Sequence, residues 1–95
     1  MEVGKNDLDI RLFNFAIDTI KFLRTQASSY ELNVIMYQLT KSATSSGANY
    51  EEAQAGFTNK VRISLFEMRE SNYWLRILKG INDEINPELE KLIKN

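Results

Sequence analysis

Apolar residues recur along this chain at intervals of three and four, and strand-like alternation is nowhere sustained. The first run is Leu8, Leu12, Phe13, Phe15, Ala16, Ile17, Ile20 and Leu23, which predicts a helix from Asn6 or Asp7 to about Ala27. Asn6 is suited to cap it, and Asp7 and Asp9 suit the positive end of its dipole. A helix of about 20 residues is about 30 Å long, a full bundle length. Ser28-Ser29-Tyr30-Glu31 then fits a capping box, with Ser28 as the cap and Glu31 three residues on. A second helix is expected over 29–54. Its first half carries Leu32, Ile35, Met36 and Leu39. From Ser42 to Ala48 the residues are nearly all small. Read as helix, that stretch puts Ala43, Ser46, Gly47 and Tyr50 on one face that lets another helix approach closely. Gly56 marks the break that follows.

The third helix, expected over 57–79, has apolar residues on two sides. At about 100° per residue, Phe57, Val61, Leu65, Met68, Asn72 and Leu75 share one face. Ile63, Phe66, Glu70, Tyr73, Trp74 and Ile77 lie roughly opposite. A helix with two apolar stripes is buried from two sides. A single four-helix bundle covers only one of them well, so the second calls for another partner, most simply a second copy of the chain. Its Tyr, Trp and Phe content suits an interface core. Arg62, Arg69 and Arg76, spaced every seven residues, line one flank. Gly80 is expected to end this helix. Asn86-Pro87-Glu88 reads as a further helix start, Asn86 capping and Pro87 at the first position. The fourth helix then offers Leu89, Leu92 and Ile93.

Composition narrows the chemistry. The 95 residues allow one small domain with a marginal core, and the 43% hydrophobic fraction is too rich for a disordered chain. There is no His and no Cys, which removes zinc fingers, thiol nucleophiles and imidazole bases. No apolar run approaches the roughly 18 residues of a membrane span. The first residues, MEVGKNDLD, have no apolar signal-peptide core, so a cytoplasmic protein is expected. The net charge of −1 argues against strong non-specific nucleic-acid binding, although the third helix taken alone is basic.

Each candidate feature has a plainer counterpart. The arginine ridge matches phosphate geometry, but three arginines are few, and a solvated face or pairing with Glu51, Glu52 or Glu70 is the expected reading. Glu70 on an aromatic stripe could be an acid of raised pKa, and is expected instead to meet an arginine, such as Arg69 of a neighbouring chain. Glu51-Glu52 with Glu67 and Glu70 lacks the histidines of a bundle di-metal site. The run from Ser42 to Asn49 lacks the Gly-x-x-x-x-Gly-Lys pattern of a phosphate loop, and close helix packing is expected. Tyr73-Trp74 could stack a base, but burial is favoured.

The segment Ser42-Ala43-Thr44-Ser45-Ser46-Gly47-Ala48-Asn49-Tyr50-Glu51-Glu52-Ala53, followed by Lys60-Val61-Arg62-Ile63-Ser64-Leu65-Phe66-Glu67-Met68-Arg69-Glu70-Ser71-Asn72-Tyr73-Trp74-Leu75, resembles the bacterial four helix bundle protein family. These are also called the 23S ribosomal RNA intervening-sequence proteins. The likeness is most specific at Ala48-Asn49, Glu52-Ala53, Glu67, Arg69-Glu70 and Tyr73-Trp74-Leu75. It implies a small up-down bundle assembled as a ring, commonly a homopentamer, with no established catalytic activity. A relative is the accessory protein of diversity-generating retroelements, a basic pentamer that binds reverse transcriptase and nucleic acid. The chain departs from the family pattern in the short connection at Gly56-Phe57, in a fourth helix shorter than the family's, and in its acidic balance.

The expectation is therefore an all-α single domain over 1–95, an antiparallel up-down four-helix bundle with a short fourth helix, forming a ring-shaped homo-oligomer. Phe66, Arg69, Glu70, Tyr73, Trp74 and Ile77 are the expected interface, with Phe66, Tyr73 and Trp74 each worth about 1.5–3 kcal/mol if fully covered. No catalytic residue, cofactor or metal is assigned. The expected role is a non-enzymatic scaffold or adaptor. The alternative is an accessory that binds RNA, DNA or a nucleic-acid enzyme through Arg62, Arg69 and Arg76.

Overall fold

The computed structural model describes residues 7–56 and 59–94. They form four helices: α1 (Leu8–Leu23), α2 (Tyr30–Gln54), α3 (Lys60–Ile81) and α4 (Pro87–Lys94). Among the described residues there is no strand, and no helix is long and apolar enough to cross a membrane.

The ends of the helices follow local chemistry. Asp7 precedes α1 without a side-chain cap bond, and the expected Asn6 cap lies outside the described residues. α1 stops at Leu23 rather than Ala27, because Thr25 turns back on the last turn and its Oγ1 and N–H both donate to the Phe22 carbonyl, at 2.6 and 3.0 Å. The cap of α2 is Ser29, not Ser28: Ser29 Oγ accepts from the Leu32 N–H at 3.2 Å. Ser28 Oγ instead lies 3.1 Å from Asn33 Oδ1. Glu31 therefore sits at the second helical position, one short of closing a capping box.

The small-residue run Ser42–Ala48 is helical throughout. Ser42, Thr44 and Ser46 return their hydroxyls to carbonyls three or four residues back, so these polar groups are satisfied within the helix. Gly56 follows α2 with φ +112°, a left-handed conformation that glycine adopts without a Cβ penalty. Gly80, by contrast, keeps a negative φ, and α3 runs through it to Ile81. The expected start of α3 at Phe57 lies outside the described residues. Asn86 caps α4 as expected, its Oδ1 accepting from the N–H groups of Glu88 and Leu89 at 3.0 and 3.2 Å.

α2 and α3 form the main antiparallel pair, α1 lies along α2, and α4 bridges α3 and α1 at one end. α1 and α3 stay apart as diagonal partners, with no Cα atoms within 8 Å of each other among the described residues. The apolar core sits at the α4 end, where Phe15, Phe22, Leu39, Leu75, Leu78, Leu89 and Leu92 are buried together. Away from α4 the seam becomes small and polar. Ser42 Oγ and Ser71 Oγ are 2.8 Å apart, and Ser64 Oγ donates to the Ser46 carbonyl at 2.7 Å. A Cβ added at Gly47 would stand 3.6 Å from Leu12, so α1 and α2 approach closely there, as the small residues predict.

This serine seam sets the rotation of α3 and corrects the expected core stripe. The buried face is Ser64, Ser71, Leu75 and Leu78. Val61 and Leu65, expected in the core, are 41% and 58% exposed. They fall on the flank of α3 that α4 covers only further along the helix.

Candidate interaction surface

α3 carries its second stripe on the side away from α4. Ile63, Trp74 and Ile77 are half-buried, and Phe66 and Tyr73 are 60% and 48% exposed. Trp74 packs partly against the core. Its indole Nε1 donates to Glu70 Oε2 at 3.1 Å, one turn back on the same helix. Glu70 is exposed and serves this indole within the chain. Tyr73 meets the edge of Trp74, with ring centroids 5.2 Å apart at 72°. Arg76 lies over the Tyr73 ring at 5.9 Å and donates from Nε to Asn72 Oδ1 at 2.8 Å. Tyr73 is thus fixed from two sides but left open to solvent, so the burial expected for it does not occur within one chain.

Arg62, Arg69 and Arg76 are all exposed, and Arg62 and Arg69 form no ion pair among the described residues. Within one chain, among the described residues, the pairing considered for them with Glu51, Glu52 or Glu70 is not made, and Glu52 holds Lys60 at 3.3 Å. Glu67 is half-buried on the same helix. Burial pushes its carboxyl above the ordinary value, the neighbouring Glu70 adds to this, and Lys41 opposes it. Among the described residues no three carboxylates gather closely enough to hold a metal ion.

A second uncovered apolar face was not anticipated from the sequence. On α1, Ile10, Phe13 and Ile17 are 59%, 58% and 36% exposed. Phe13, Ala16, Ile17 and Ile20 border a hollow of about 340 Å³ whose other wall is Thr44, Gly47 and Ala48 of α2. The signal was present in the consecutive apolar residues Leu12-Phe13 and Phe15-Ala16-Ile17, which no single helix face can hold. α2 adds Tyr30, Val34 and Tyr37, exposed at spacings of four and three. The chain therefore presents an aromatic ridge on α3 and a hollow floored by small residues between α1 and α2.

Searches against protein-family models, curated proteins and solved structures match nothing to this chain.

Proposed function

We propose that this protein is a non-enzymatic, self-assembling helical scaffold or adaptor of the cytoplasm, a member of the four helix bundle (23S rRNA intervening-sequence) family that it resembles, acting as a ring of identical chains. The observation that carries the reading is the exposure of Phe66 and Tyr73 on an ordered, fully formed helix. Apolar surface of this kind, larger than scattered single residues, marks interaction sites. The uncovered hollow beside Phe13 and Ile17 supports a head-to-tail contact, in which the ridge of one chain enters the hollow of the next. Two different faces meeting in this way generate a ring when the rotation closes. The family resemblance favours five subunits. Five copies of an 11.0 kDa chain make a particle of about 55 kDa. Native mass spectrometry tests this: a single species near that mass supports it, and a monomer across micromolar concentrations removes it.

A second reading rests on Arg62 and Arg69, which are exposed and form no ion pair among the described residues. Repeated around a ring together with Arg76, they would give a weak basic stripe the avidity to bind RNA or DNA. Its signature is an affinity that falls steeply with salt, and loss of binding in Arg62→Glu.

A further inference from the structure

The outermost line of α3, facing directly away from the core, alternates charge and ring. Arg62, Phe66, Arg69, Tyr73 and Arg76 follow one another at spacings of four and three, so they share one side of the helix. All of them are exposed, and the line holds no acidic residue. The hollow between α1 and α2 has the opposite character. Its walls are apolar, and Glu51 is the one charged side chain among the described residues that line it. Glu51 is exposed and forms no ion pair among the described residues. Its place in the hollow is set by helix direction. Gly47 stands against Leu12, and α1 and α2 run antiparallel across the short connection 24–29. Glu51, one turn beyond Gly47, therefore lies at the Phe13 end of the hollow, and Ile20 lies at the other end.

From this we infer that Glu51 of one chain and Arg62 of the next form an ion pair that fixes the direction and register in which ridge meets hollow. The inference rests on the head-to-tail reading above and adds the residues that decide which way the ridge lies. Three observations select this pair. The first is length. Phe66 to Tyr73 and Phe13 to Ile20 are each seven residues apart, about 10.5 Å along the helix, so both rings of the ridge fit over the hollow at once. The fit exists in two directions. With Phe66 at the Glu51 end, the arginine one turn beyond the rings is Arg62. With the ridge reversed, it is Arg76. In both, Arg69 lies between the rings and is long enough to carry its charge past the rim to solvent.

The second observation is prior engagement. Arg76 lies over the Tyr73 ring and donates to Asn72 Oδ1, whereas Arg62 forms no ion pair among the described residues. Meeting Glu51 therefore costs Arg62 no existing ion pair, and it leaves the Arg76–Tyr73 contact in place. The third is separation within one chain. Arg62 sits beside Val61 and Leu65 on α3, while Glu51 opens beside α1 on the other flank of α2. The two charges thus meet between chains and not within one. A charge pair at the rim of an apolar contact sets register and suppresses the wrong arrangement more than it adds affinity, and a like-charge pair at the same place is repelled.

The test is charge exchange, read by sedimentation equilibrium of the full chain. Glu51→Arg and Arg62→Glu each set like charges against one another and should weaken assembly by at least about tenfold. Joined in one chain they restore the pair in reverse, and the double variant should return to within about threefold of the wild type. Glu51→Arg joined with Arg76→Glu should stay as weak as Glu51→Arg alone. Circular-dichroism spectra should be unchanged, because the substituted positions are solvent-facing. Salt gives a second measurement that needs no charge reversal: wild-type assembly should weaken with salt more steeply than that of Glu51→Gln. If the wild type assembles but Glu51→Arg assembles equally well, the double variant is no better than the singles, or Glu51→Gln has the same salt dependence, the pair is overturned and self-assembly stands. Rescue by Arg76→Glu overturns the direction. A wild-type monomer at all concentrations overturns both this inference and the reading on which it rests.

Discussion

Ser42 and Ser71 bring their hydroxyl oxygens to 2.8 Å across the α2–α3 seam, and this contact sets the rotation of α3 in the bundle. Each hydroxyl also lies within hydrogen-bonding distance of a carbonyl of its own helix, Ser42 of Leu39 at 3.2 Å and Ser71 of Glu67 at 2.9 Å. The seam is narrow because both residues are small and fully buried. Replacing both by Ala removes a matched pair and should cost about 1 kcal/mol or less. Ser71→Leu must push the helices apart and should cost about 1–3 kcal/mol. Urea unfolding of the two variants measures the difference, and an equal cost for both would mean that the seam is not closely packed.

The cap of α2 is a one-residue question with a clear answer in stability. Ser29 Oγ bonds the Leu32 N–H, whereas Ser28 Oγ bonds an exposed side chain. Ser29→Ala should lower stability by about 1 kcal/mol, and Ser28→Ala by a few tenths. Asn86→Ala should cost at least as much as Ser29→Ala, because Asn86 serves two N–H groups and α4 has only eight residues to hold its place. Thermal melts of the three variants rank them directly.

Glu67 gives stability a pH dependence of predictable sign. Its carboxyl is raised above the ordinary 4.5, so the folded state holds that proton more tightly than the unfolded chain does. The resulting stabilisation is fully present below the unfolded value and is lost as pH rises through the folded one. Glu67→Gln keeps the neutral form at every pH. It should therefore be at least as stable as the wild type at neutral pH, with the advantage vanishing below about pH 4.5. Denaturant midpoints at several pH values check this, and an advantage that grows on acidification would contradict it.

Gly47 sits where α1 crosses α2, with room for one methyl group at 3.6 Å from Leu12. Gly47→Ala should raise stability by up to about 1 kcal/mol, since the helix gains and nothing clashes. Gly47→Leu should lower it by separating α1 from α2. Melting temperatures of the pair give opposite signs if the contact is as close as described.

The helices were legible because periodicity and punctuation agreed: Asn86-Pro87 at the start of α4, Gly56 after α2, and the small residues of Ser42–Ala48 as a packing face. The misplaced features share a cause. A cap shared between adjacent serines, or a helix running through Gly80, is decided by backbone geometry that residue type does not specify. The rotation of α3 was harder still. Val61 and Leu65 are apolar and were assigned to the core, while Ser64 and Ser71 are polar and were not. Hydroxyl pairing across a narrow seam inverted that order. The hollow beside Phe13 was missed because the apolar run of α1 is read only as a helical spacing and not sorted into faces. The exposed aromatic stripe of α3 was anticipated because its residues lie opposite the core at helical spacing, although Trp74 proves to be shared with the core.

Because Trp74 also supports the fold, Phe66 is the sharper probe of assembly. Native mass spectrometry of the wild type and Phe66→Glu, at matched concentration, addresses the central claim most directly. The account predicts a discrete oligomer for the wild type, near 55 kDa if it is the pentamer of an 11.0 kDa chain, and a folded monomer for Phe66→Glu. A wild-type monomer, or a variant that keeps the wild-type mass, would contradict it.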